Sequence, residues 1–378
     1  MEFVRTEEQE MLARSAAELV KTASPLTSVR RLRDSAVGFD RALWEQIVEL
    51  GWTGIPFAES DAGLGLGVRE MTVVFEELGR NLVPTPLLST VCLSGGVLAT
   101  VPRTELRDAW LARVVSGDAL VALAWEERAG RGDLATTRTT ALAEGDSFTL
   151  RGEKVAVLHA PDAEAFVVLA RTGSVPGDGE GLTLFLVPSD AAGLEVVPQA
   201  RLDSRSAGLV RFDGVQLHAD SVLGALGGAA AVLEPVLDRA TVALCAEMVG
   251  SMTTALEMTV AYLKEREQFG RRIGSFQVLQ HRAADLFISL ELARTAVIAA
   301  ATAADNSPEA LSAQASLAKA HCSEAFLQIA HEAIQMHGGI GMTDEHDIGF
   351  FLKRARVCEH LLRPPTWHRD RWAHLGGY

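Results

Sequence analysis

Residues 336–346, MHGGIGMTDEH, decide how this chain is read. Long segments with helical apolar spacing flank them on both sides, and neither carries a reason to stop. Glycine inside a helix costs about 1 kcal/mol relative to alanine. Gly338, Gly339 and Gly341 together therefore imply a sharp turn, or a backbone that something approaches closely. Residues 262–281, YLKEREQFGRRIGSFQVLQH, make a second break. A helix is expected to end at REQFG with Gly270 as its C-terminal stop, and another to begin near Ser275. Arg266 and Phe269 sit at that turn. A guanidinium can hold phosphate oxygens in pairs and an aromatic ring can pack on a purine. The same residues also suit a capped turn with a surface ion pair.

Outward from these breaks, helical periodicity predicts helices over roughly 229–264, 275–305, 308–336 and 344–361, long enough with short connections for a bundle. Residues 1–118 are also helical in pattern, with apolar periods in EEQEMLARSAAELV, RALWEQIVELG and REMTVVFEELGRNL. Between them the period shortens. ALVALAW, TTALAEG, FTLRGEKVAVLHA, AFVVLART, GLTLFLVPS, LEVVP and LVRFDGVQL are short β-type runs separated by Gly, Asp and Pro. The expected fold is α+β and multidomain: an N-terminal helical domain (1–118), a middle β barrel or sandwich (119–228) and a C-terminal four-helix bundle (229–378). Gly63, Gly65 and Gly67 form GxGxG without a preceding strand, which reads as a plain loop.

The 378 residues are 48% hydrophobic and 22% charged, with a formal net charge of −14. So acidic a surface repels phosphate backbones and argues against nucleic acid as a partner. Cys92, Cys245, Cys322 and Cys358 show no zinc or redox spacing, which suits a reducing cytoplasm. The acidic N-terminus lacks a targeting pattern. LFISLELARTAVIAAATAA carries Glu291 and Arg294 near its middle and reads as a buried bundle helix, not a membrane span. His331 and His337 are six apart, about 240° around a helix, so HEAIQMH does not make a metal site.

REQFG followed by IGSFQ, and QMHGGIG about 60 residues later, resembles the acyl-CoA dehydrogenase family. GWTGIPFAESDAGLGLG is similar to that family's N-terminal helical domain, and the likeness runs nearly the whole length. The resemblance implies an α,β-dehydrogenation of an acyl-CoA thioester, with FAD shared across a subunit interface. It assigns Arg266, Gln268, Phe269 and Gln277, with Gln335, Gly338 and Gly339, to the adenosine and diphosphate part of a neighbour's FAD. Backbone N–H groups at a Gly-rich break suit an anion. It also implies electron-transfer flavoprotein or a similar acceptor as a partner.

The family needs a carboxylate base. Its commoner position falls on Leu362, followed by Arg363 and Pro364, and Pro364–Pro365 is expected to force extended backbone. Its alternative position falls on Ala240, beside Thr241. Glu359, read as nearly one turn away on a continuing helix, and Asp238 are the nearest substitutes. The loop and strand that hold a flavin ring in the family correspond to LAWEERAGRGDL and KVAVLHAPDA, without the expected Thr, Ser and Trp; Glu126 and Glu127 read as solvated loop charges. Glu345 is expected to brace the turn after Gly341. The pattern resembles the base-lacking smaller subunit of actinobacterial heterotetrameric (α2β2) enzymes, including those of steroid side-chain degradation, whose homologous partner supplies the base. Two rivals stand beside it: a self-sufficient homotetramer using Glu359 or Asp238, and a non-redox structural or binding homologue.

Overall fold

The computed structural model describes residues 4–35, 38–130, 132–173 and 180–378. The N-terminal region supplies α1 (Glu7–Ala23), α2 (Thr27–Ser35), α3 (Arg41–Glu49), α4 (Val68–Arg80), α5 (Gly96–Thr100) and α6 (Glu105–Val115). The three anticipated helices are α1, α3 and α4. The sequence reading missed α6 because its inward face carries a charge. Arg107 is buried there, and its Nη1 donates to Asp61 at 2.6 Å and its Nε to the Leu98 carbonyl at 2.7 Å.

All seven β-type runs are strands: β1 (Val121–Ala124), β2 (Thr140–Glu144), β3 (Ser147–Leu158), β4 (Ala165–Arg171), β5 (Leu182–Pro188), β6 (Leu194–Pro198) and β7 (Ala207–His218). A short β8 (Val222–Leu223) follows. They form one mixed sheet in the order β6-β7-β3-β2-β4-β5-β8, with β1 parallel to β4. One face is packed with Phe148, Phe166, Phe185, Val210 and Phe212. The pairing of β3 with β7 is irregular between Lys154 and Val157, where Ala156 takes φ 52°.

The C-terminal region begins with α7 (Ala229–Glu265). The expected single stop at REQFG is corrected here. The helix ends before Arg266, and β9 (Glu267–Gln268) pairs with β10 (Arg271–Arg272) in a hairpin. Gly270 belongs to the hairpin turn, not to a helix cap. Then come α8 (Gln277–Asn306), α9 (Pro308–His337), α10 (Ile348–His360) and α11 (Pro365–Leu375). Pro364 is extended, as expected, with ψ 160°. Pro365 instead opens α11, where a fixed φ and a missing N–H are harmless.

The chain divides into two compact units: Met1–Ser35, Gly67–Val83 and Thr241–Tyr378, and Ala36–Leu66 and Pro84–Ala240. Within the first, α4 and α7 meet backbone to backbone. A Cβ on Gly250 would lie 1.8 Å from the Glu76 carbonyl oxygen, and one on Gly79 2.0 Å from that of Glu247. Glu247 also makes a two-pronged buried ion pair with Arg354 of α10, at 2.9 and 2.8 Å. α8 is long and apolar enough to cross a membrane by length and composition, but only 44% of its apolar window is buried. The expectation of a buried helix is corrected to a half-buried one, with Phe287, Ile288 and Leu292 exposed. Arg294 in its middle pairs with Glu76 of α4.

Candidate cofactor site

The hairpin turn explains the local sequence. Phe269 and Gly270 have φ 54° and 75°, the double left-handed pair that a tight two-residue hairpin demands. Glycine adopts it freely; Phe269 does so at a cost of about 1 kcal/mol or more. Its ring is 91% exposed. It stands edge-on to Phe276, with ring centroids 6.2 Å apart, and Arg271 lies 4.0 Å over the same Phe276 ring. Arg266 begins the hairpin: its N–H donates to the Tyr262 carbonyl at 2.9 Å, and its carbonyl accepts from Ile273 at 2.8 Å. Arg266, Gln268 and Gln277 are all exposed.

The glycine turn follows α9, with Gln335, Gly338 and Gly339 exposed. Its three glycines differ in cause. Gly338 closes the helix at φ 63°, ψ −141°, which L side chains rarely adopt. Gly341 is packed: a Cβ there would lie 2.7 Å from the Ile334 carbonyl oxygen and 2.9 Å from the His337 Cβ. Gly339 has neither constraint. Its φ is ordinary, and a Cβ on it would meet nothing within 4 Å. Arg30 and Arg33 of α2 hold the following loop through Asp344 and Asp347, at 2.6 to 3.0 Å. Glu345 is exposed, so the bracing falls to its neighbours.

The segment at the family's commoner base position is closed on itself. Leu362 and Arg363 are both left-handed, at φ 54° and 78°, and both are buried. Lys319 of α9, fully buried, reaches three carbonyls there: Cys358 at 2.9 Å, Glu359 at 3.2 Å and Arg363 at 3.2 Å. Burial lowers its pKa. His368 Nε2 bonds the Leu362 carbonyl at 2.8 Å, and burial pulls this imidazole down to about 3. The Arg363 guanidinium lies 3.9 Å over Trp367. α10 stops at His360, so Glu359 does not approach along a continuing helix; it pairs with Arg356 at 3.2 Å. Ala240 is fully buried, and Asp238 is 2% exposed. The sequence analysis gave neither Lys319 nor His368 a role at this segment. A lysine in the otherwise uncharged stretch SLAKA of α9 was the available signal.

In the other unit, the loop after β1 is not solvated as expected. Lys154, fully buried on β3, donates to Glu127 at 2.7 Å. Glu127 also accepts the N–H groups of Arg138 and Thr139, at 2.8 and 2.9 Å. Burial pulls Lys154 down to about 8, against the opposing pull of the carboxylate. For Glu127 burial acts upward, but Lys154 and the two N–H groups outweigh it and leave the carboxyl low. In the stretch KVAVLHAPDA, Ala156 on β3 and His159 just after it are left-handed. His159 is buried, with its ring edge-on to Phe39 at 5.5 Å.

Comparison with known proteins agrees with this architecture. Residues 6–118 match the acyl-CoA dehydrogenase N-terminal domain, 122–215 its middle domain and 227–361 its C-terminal domain. The acyl-CoA dehydrogenase IpdE2 of Mycolicibacterium smegmatis is 32% identical over 361 residues, 95% of this chain and 96% of that protein. Among solved structures, the ChsE4–ChsE5 complex of Mycobacterium tuberculosis aligns at a TM-score of 0.90 with 29% identity, over 100% of this chain and 99% of that one. A Tcur3481–Tcur3483 steroid ACAD variant aligns at 0.87 with 31% identity, over 98% of each chain. The chain belongs to the acyl-CoA dehydrogenase family.

Proposed function

We propose that this chain is the non-catalytic subunit of a heterotetrameric, FAD-dependent acyl-CoA dehydrogenase, and that it completes the FAD site of its homologous partner. Gly339 carries the reading. Nothing in the chain's own fold requires glycine there, whereas the backbone of a bound diphosphate neighbour would. Arg266, Gln268, Phe269, Gln277, Gln335, Gly338 and Gly339 form the cradle, and all seven face solvent in the single chain. Arg266 offers a bidentate donor to phosphate oxygens, and the bare turn offers backbone N–H groups.

The base position supports the same division of labour. Abstracting the α-proton of a thioester needs a positioned carboxylate in a dry pocket. Leu362 and Ala240 supply none, and Glu359 is engaged by Arg356. Bound FAD supplies the hydride acceptor; the proton acceptor and most contacts to the reactive ring then come from the partner. The aligned steroid ACAD variant favours a steroid-derived acyl-CoA. The four free cysteines suit a reducing cytoplasm. We also hold to three functional segments, 1–118, 119–228 and 229–378.

The test is expression alone against co-expression with a homologous subunit carrying a carboxylate at the position of Ala240. Yellow protein and dye reduction by acyl-CoA only on co-expression is the expected result. Full activity from the single chain refutes the proposal and turns attention to Glu359 and Asp238.

A further inference from the structure

His337 ends α9 immediately before the glycine turn, and it presents an anomaly. The side chain is 2% exposed. Its Nδ1 lies 2.7 Å from the Ala333 carbonyl, so that nitrogen carries the proton and donates. Nε2 is left as a buried acceptor without a hydrogen-bond partner among the described residues. An apolar side chain would fill the slot without that desolvation cost. Burial also pushes the imidazole pKa down, so the ring is neutral at pH 7.

The ring's neighbours supply a reason for its flat shape. It stacks on Tyr262, with centroids 4.6 Å apart and planes 28° apart. On the far side of the turn it meets His346, at 4.6 Å and 54°. His346 in turn accepts from the Ile348 N–H at the start of α10, at 3.2 Å. The glycine turn folds back over the base of the same residue, since a Cβ on Gly341 would lie 2.9 Å from the His337 Cβ. Tyr262 sits in the last turn of α7, and its carbonyl accepts the Arg266 N–H. One imidazole thus joins the ends of α7 and α9 and the start of α10.

We propose that His337 is a positioning residue of the nucleotide cradle: stacked on Tyr262, it sets the Gly338–Gly339 turn against Arg266. The inference rests on the cradle reading above and goes beyond it by naming what holds the two halves in register. Tyr262 and His346 act through the placement of the turn and of Arg266.

The test uses the co-expressed assembly stripped of flavin and titrated with FAD, following the quenching of flavin fluorescence, with melting temperature recorded in parallel. His337→Phe keeps a flat ring and is expected to bind FAD within about twofold of the native chain. His337→Ala removes the stack and is expected to weaken FAD at least tenfold. Tyr262→Ala breaks the stack from the opposite side and should do the same, which keeps the test alive if His337→Ala fails to fold. In the His337→Ala, Arg266→Ala pair the losses should combine less than additively, because both act on one contact. Native-like FAD affinity in His337→Ala or Tyr262→Ala overturns the inference, as does failure of His337→Phe to rescue. Arg266→Ala alone separates the two levels. If it leaves FAD affinity unchanged, the cradle reading itself falls; if it weakens FAD while both stack variants bind normally, only the positioning role falls.

Discussion

The two ends of the α10 region make an instructive contrast. Before α10, the turn at 338–342 faces outward: Gly338 and Gly339 are exposed, and the Cβ positions of both look into open space. After α10, the segment 361–364 faces inward. Its carbonyls are taken by Lys319 and His368, and Arg363 is stacked on Trp367. Both use left-handed backbone, but at the first the residue is glycine and at the second it is leucine and arginine. Strained non-glycine backbone persists only where surrounding contacts over-determine it. The first region leaves its glycine backbone open to solvent. The second is satisfied by its own chain, at the position where the family would keep a reactive carboxylate.

If the closed segment depends on Lys319, removing the ammonium should have the largest effect. Lys319→Met leaves three carbonyls short of a donor, and a loss on the order of 3 kcal/mol is expected, read as a fall in the urea midpoint. A change within 0.5 kcal/mol would mean the segment is held by packing alone. Installing the missing carboxylate, Leu362→Glu, should give no dehydrogenase activity in the lone chain, because the closed segment offers the side chain no open pocket. Turnover by that variant would break the contrast outright.

The closed segment should also carry a pH signature through His368. His368 is held at about 3 in the fold, against about 6.5 unfolded. Above 6.5 both states are neutral and its contribution is complete. As pH falls below 6.5 the unfolded chain takes up the proton first, so stability drops. The loss is about 2 kcal/mol between pH 6.5 and 5 from this one group. Denaturant midpoints measured across that window should show the slope, and His368→Asn should flatten it. A slope unchanged by that substitution would assign the pH dependence elsewhere.

The smallest effects sharpen the contrast within the open turn. Gly341→Ala forces a Cβ against the Ile334 carbonyl and should cost roughly 1–3 kcal/mol. Gly339→Ala should leave stability within about 0.5 kcal/mol, yet weaken FAD in the assembled enzyme about tenfold. Equal melting shifts in the two variants would remove the reason for assigning Gly339 to a ligand.

Much of the fold was legible in the chain. The seven β-type runs became strands because short apolar stretches, several rich in β-branched and aromatic residues, are bounded by Gly, Asp and Pro breaks, and long apolar periods marked α7 to α10. The misses have particular causes. The hairpin at 267–272 was hidden because REQFG reads equally as a helix stop, and only two successive left-handed residues distinguish the cases. α6 was hidden by the inward Arg107, α11 by the reading of Pro365 as a breaker. Glu127 looked solvated until the fold set Lys154 beside it.

The sequence by itself determined the order of helical and β segments, the family, and the absence of a carboxylate at 362 and 240, since these are properties of residue type and spacing. Only the tertiary structure decided which of the three turn glycines lacks an internal cause, that Lys319 and His368 seal the segment after α10, and that His337 stacks on Tyr262. Each of these depends on which groups from distant parts of the chain come within hydrogen-bond or ring-stacking distance, and a one-dimensional pattern does not encode that until the packing is fixed.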